Sequence, residues 1–170
     1  MEMETCHCEP ESKIKKFAPL VIMFALVITY TIYGQFALGT FATHVAMMDF
    51  MGAYFLLFGL LKAINVRSFA KSYAQYDILA RENKAWGYIY PFVELALGAT
   101  YIAGIDSTYI NIFVFLLMSL KAYSVWIKLA QNEDLQCACL GGFFKIPITW
   151  FTVFEDILMA AMAIAMLLTF

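Results

Sequence analysis

Five stretches of the chain, 17–38, 49–64, 86–104, 108–129 and 146–170, are dominated by apolar residues, and none carries more than two charged side chains. A helix rises 1.5 Å per residue, so about 20 apolar residues cross the ~30 Å hydrocarbon layer of a bilayer. These runs therefore predict an all-α fold, a polytopic transmembrane helical bundle of about five spans. Pro19 stands close to the start of the first run, where a helix tolerates proline. Gly52 and Gly59 are seven residues apart in the second, hence on one face, and should allow close helix contact. Residues 65–84 differ in kind. Arg67, Lys71, Asp77, Arg81, Glu82 and Lys84 alternate there with Phe69, Tyr73, Tyr76 and Leu79 at helical intervals, which predicts one amphipathic helix at the membrane surface.

Composition excludes several classes. Hydrophobic residues make up 63% of the chain and charged residues 14%, against about 45–50% and about 25% in soluble domains, so this is no water-soluble globule. A net charge of −2 gives no basic field for nucleic acid. There is no Gly-rich phosphate loop, no dinucleotide fingerprint and no Ser–His–Asp set. Lys13, Lys15 and Lys16 precede the first run in the order of a signal peptide, but 17–38 exceeds the ~7–15 residues of a signal h-region and is read as a membrane helix. No sequence repeat of fixed period is present. The expected divisions are a mobile Cys-His-Cys tail (1–16), an N-terminal span and turn (17–44) and a membrane domain (45–170).

Topology follows from counting. With the N-terminus on side A, the tail, the amphipathic segment and the loop 131–145 fall on side A, while the turns 39–49 and 105–107 and the C-terminus fall on side B. All 11 Lys and Arg residues lie in a side-A segment or in the half-span next to one. The positive-inside rule makes side A cytoplasmic. Glu94, Lys121 and Glu155 then each sit about 12 Å below the same surface, with Asp156 beside Glu155, and Lys62 is shallower and able to snorkel. An isolated charge at depth costs about 2.5–3.5 kcal/mol, so such groups face the bundle and pair. The expected partner of Lys121 is Glu94 or Glu155. A structural ion pair that fixes helix register and a functional polar pocket both fit this layer. His44, alone on side B, is read as a plain interfacial histidine.

All four cysteines fall in two Cys-x-Cys pairs, Cys6-His7-Cys8 in the tail and Cys137-Ala138-Cys139 in a glycine-ended loop. A disulfide within Cys-x-Cys closes a small ring that is easily reduced, a property of exchange sites. Two thiolates in a flexible loop also suit a soft or borderline ion such as Cu(I), Zn(II) or Hg(II), with Cys6, His7, Cys8, Cys137 and Cys139 as donors. Reduced, idle cytosolic cysteines are the third reading.

The order of short motifs resembles the MauE/DoxX group of redox-associated membrane proteins, MauE being the nearer match. Phe58-Gly59-Leu60-Leu61-Lys62 ends one span, Pro91-x-x-Glu94-Leu95-x-x-Gly98 opens the next, Cys137-x-Cys139-Leu140-Gly141 follows, and Trp150 leads into the last span. The resemblance covers roughly 45–170. It implies a four-helix core to which the first span is an addition, and a role in disulfide handling or in maturing a cysteine-rich partner in methylamine metabolism. It implies Cys137 and Cys139 as the redox pair and Lys62, Pro91, Glu94 and Gly98 as a structural signature. Lipid and a redox or metal-handling protein are the expected partners. The cofactor is left unknown: none, or a thiolate-bound Cu(I) or Zn(II). The expected location is the cell (inner) membrane, with the N-terminus and the dithiol loop cytoplasmic and the C-terminus outside. The departures are the extra span with its tail and the cytoplasmic dithiol, since maturation of exported proteins would place the thiols outside.

Overall fold

The computed structural model describes residues 13–39, 42–131 and 150–169, and every regular element among them is an α-helix. Five are long: α1 (Lys13–Leu38), α2 (Thr43–Ile64), α5 (Lys84–Ile102), α6 (Thr108–Ala130) and α7 (Trp150–Leu168). Two are short: α3 (Val66–Tyr73) and α4 (Ile78–Glu82). Four helices are long and apolar enough throughout to cross a membrane, over Ala18–Ala37, Thr43–Ile64, Thr108–Ala130 and Trp150–Leu168. With 19 residues α5 is as long as α7, but it carries Lys84 and Glu94 and is not among these four. The chain is an integral membrane protein.

Two antiparallel pairs, α2 with α5 and α6 with α7, form the body of the bundle, and α1 lies along α2. Glycines set the first pair. A Cβ on Gly98 would stand 2.7 Å from the Leu56 nitrogen and 3.0 Å from the Gly52 oxygen. A Cβ on Gly52 would meet Ile102 Cδ1 at 2.8 Å, and one on Gly59 would meet Leu95 N at 3.2 Å. The two backbones touch because these side chains are absent, the usual device for close contact in lipid. Phe24 of α1 meets the rings of Tyr54, Phe58 and Phe151 at 5.8, 6.0 and 5.5 Å, which joins α1, α2 and α7.

The expected single amphipathic helix is two helices. Asp77 caps the second by accepting from the Ala80 N–H, and Asn65 and Asn83 cap α3 and α5 in the same way. The break at Asp77 changes the helical register, so Ala80 is buried and Leu79 is left half-exposed. Phe69, Tyr73 and Tyr76 are buried in protein and stack toward Tyr90 of α5. The segment is a hood over one end of the bundle. Ile78 N lies 3.5 Å from Ser124 Oγ, so the end of α6 belongs to this hood end as well.

At the opposite, turn end, Gly39 and Gly104 take φ of +66° and +72°, the left-handed region that favours glycine. His44 is not alone there. Its Nε2 lies 2.7 Å from Asp106 Oδ2, which ties the first turn of α2 to the connection before α6. Asn111 Nδ2 donates to Asp106 Oδ1, and the Tyr101 hydroxyl donates to Asn111 Oδ1, both at 2.7 Å. Residues 44 and 106 are far apart in sequence, and only the packing of α2 along α5 brings them together.

Candidate functional site: a buried layer of lysines and carboxylates

Lys62, Glu94, Lys121, Glu155 and Asp156 are all buried inside the bundle. Helical side chains lean toward the N-terminus of their own helix. Helices α2 and α6 run toward the hood end, so Lys62 and Lys121 lean down into the membrane domain. Helices α5 and α7 run the other way, so Glu94 and Asp156 lean up to meet them. The Nζ of Lys62 lies 2.6 Å from both carboxylate oxygens of Glu94. The Nζ of Lys121 lies 2.9 Å from Asp156 Oδ1.

Both pairings differ from the sequence reading. Lys62 does not snorkel: only 1% of it is exposed. The chain turns back two residues after it and α3 closes over the helix end, leaving its ammonium 5.8 Å from the Phe69 ring centre and 5.3 Å from that of Tyr90. Lys121 takes Asp156 rather than Glu94 or Glu155. Glu94 is already held by Lys62, and Glu155, one residue from Asp156 and hence about 100° around α7, faces α2, where it accepts a hydrogen bond from the Tyr54 hydroxyl.

Two tyrosines escaped the sequence reading. Tyr54 joins Glu155 to α2, and the Tyr90 ring lies between the ion pairs, 5.3 Å from Lys62 Nζ and 5.9 Å from Lys121 Nζ. Each cation on a ring face gains electrostatic stabilisation. Helical spacing was the available signal: Tyr54, Phe58 and Lys62 share one face of α2, and Tyr90 precedes Glu94 by one turn. The layer as a whole can hold charge in lipid at low cost, bind a proton and lock four helices in register.

The thiols Cys6, Cys8, Cys137 and Cys139 and the imidazole of His7 lie outside the described residues. Among the described residues no group of three or more His, Cys, Asp and Glu side chains is arranged to hold a metal ion. A groove of about 380 Å³ opens between α1 and α2, lined by Leu26, Val27, Tyr30, Leu57 and Leu60 with Ile102 of α5, and it is almost wholly apolar.

No curated protein and no solved structure matches the chain. The family model described as methylamine utilisation protein MauE matches residues 40–169. That stretch runs from the start of α2 to the last turn of α7 and holds the whole buried layer together with Cys137 and Cys139; α1 precedes it. With most of its length so matched, the chain belongs to the MauE family.

Proposed function

We propose that this protein sits in the cell (inner) membrane, exchanges disulfides with a partner protein through Cys137 and Cys139, and thereby supports that partner's maturation in methylamine utilisation. A loop thiolate attacks one sulfur of the partner's disulfide. The mixed disulfide forms as the partner's other sulfur leaves and takes up a proton. The second loop thiol then loses its proton and displaces the mixed disulfide, leaving Cys137–Cys139 oxidised and the partner with two thiols. Two electrons and two protons have passed to the partner, and the reverse sequence oxidises it. Cys6 and Cys8 form a second dithiol able to regenerate the first by the same exchange.

One observation carries this reading. Segment 131–149, with its Cys-Ala-Cys, connects the C-terminus of α6 to the N-terminus of α7, the two helices that supply Lys121 and Asp156. Both helix ends belong to the hood end of the bundle, the end from which α1 also starts. The lysine and arginine bias makes this end cytoplasmic, so the partner, or its reacting cysteines, is reached from the cytoplasm.

Acid quenching and alkylation of cells test the reading. The expected result is an oxidised Cys137–Cys139 pair, lost in Cys137→Ser and in Cys139→Ser, with a mixed disulfide accumulating in whichever of the two keeps the attacking thiol and lacks the one that resolves it. An impermeant maleimide added to intact cells should leave all four thiols unlabelled. Thiols that stay reduced under oxidative challenge, in a protein that purifies with one Cu(I), Zn(II) or Hg(II) per chain, would replace redox exchange by soft-metal handling.

A further inference from the structure

The buried layer does not balance. Among the described residues it holds three carboxyls, Glu94, Glu155 and Asp156, against two ammoniums, Lys62 and Lys121. Glu94 has Lys62 on both of its oxygens, and Asp156 has Lys121. Glu155 has neither. Its Oε1 accepts from the Tyr54 hydroxyl, and its Oε2, like Asp156 Oδ2, is buried with no hydrogen-bond partner among the described residues, in a side chain that is 1% exposed. Each lysine is engaged by its own carboxylate, so the surplus negative charge falls on the carboxyl that lacks one. Removing that charge by binding a proton costs nothing in geometry: Tyr54 continues to donate to Oε1, and the proton resides on the open Oε2.

We propose that Glu155 is a proton-binding site inside the membrane domain, holding one proton per chain and so bringing the five-residue layer to neutrality. The groups that face it come from every helix packed around it: Tyr54 and Lys62 from α2, Tyr90 and Glu94 from α5, Lys121 from α6 and the adjacent Asp156 on α7. Tyr54, a hydrogen-bond donor to Oε1, favours the ionised form. Glu94 and Asp156 are negative and favour the bound proton, and the two lysines, each engaged by another carboxylate, oppose it. Loss of the proton would leave one net negative charge in the low-dielectric interior next to Asp156. Glu155 therefore binds and releases a proton as the charge of its neighbours changes, which a fully paired layer could not do.

The test is infrared spectroscopy on the full chain, purified and reconstituted, at neutral pH in H₂O and D₂O. The expected result is the carbonyl stretch of a neutral carboxylic acid, shifted down in D₂O, equivalent to one group per chain, absent from Glu155→Gln and moved to higher frequency in Tyr54→Phe, which removes the donor to Oε1. A spectrum without that band, or a band that persists in Glu155→Gln, overturns the proposal. Thermal unfolding is the second arm. Glutamine mimics the protonated acid and still accepts from Tyr54, so Glu155→Gln should melt within a few degrees of the wild type, whereas Asp156→Asn, which strands Lys121, should melt clearly lower. A Glu155→Gln chain that fails to fold shows that the ionised carboxylate is required, and refutes the proposal equally.

Discussion

Replacing Glu94 by glutamine removes one negative charge and leaves almost every atom in place. Lys62 then keeps its position under the Phe69 and Tyr90 rings, 1% exposed, with no counter-ion. Breaking a buried pair by removing one partner costs about 3–5 kcal/mol, because the orphaned charge stays desolvated. For a chain of this size each kcal/mol moves the melting temperature by about 2–4 °C, so Glu94→Gln should melt roughly 6–20 °C below the wild type. Lys62→Met should cost a similar amount by stranding Glu94. The double variant Lys62→Met/Glu94→Gln should recover part of the loss, since no buried charge is left unpaired and only the new amide lacks a partner, at about 1–3 kcal/mol. Thermal unfolding of the four proteins in one detergent gives the coupling energy directly. A Glu94→Gln chain that melts within 2 °C or so of the wild type, or single losses that simply add in the double variant, would refute the pairing and the argument built on antiparallel lean.

Four further outcomes are expected. Gly98→Ala should lose about 1–3 kcal/mol, because its Cβ would stand 2.7 Å and 3.0 Å from backbone atoms of α2 that cannot turn aside; circular dichroism melts check this. Asp77→Ala should cost about 1 kcal/mol through the lost cap on α4 and should raise protease cleavage within the hood. Gly104→Ala, placed at φ +72° in open space, should cost about 1–2 kcal/mol by backbone strain alone. Cys137→Ser should abolish the Cys137–Cys139 disulfide while leaving the melting temperature unchanged, which alkylation after acid quenching and a melt of the same sample would show.

The long helices were legible because lipid imposes one requirement on every residue of a span, and a run such as 17–38 meets it by composition alone. The Gly52 and Gly59 face was legible for a related reason: seven-residue spacing is a property of one helix. What could not be read depends on two elements at once. Lys62 stands two residues from the end of α2, where a lysine normally reaches water, and only the turn at Asn65 that folds Phe69 and Tyr73 over it makes it buried. Glu155 and Asp156 are chemically similar neighbours, and which one takes Lys121 is decided by the rotation of α7 against α6. His44 and Asp106 meet across two separate turns. The amphipathic stripe through Phe69, Tyr73 and Tyr76 was visible, but the capping role of Asp77 outweighs the periodicity that continues past it.

In both ion pairs the lysine precedes its acid, Lys62 by 32 residues and Lys121 by 35. A ribosome adding about 5–20 residues per second needs roughly 2–7 s to cover that gap. During that interval the lysine enters the membrane without its carboxylate. Lys62, two residues from the end of α2, can wait at the lipid surface on its four-carbon stem and be drawn inward when α5 arrives. Insertion of each hairpin and neutralisation of its charge are then a single event, and the order of synthesis spares the bilayer a lone carboxylate held at depth.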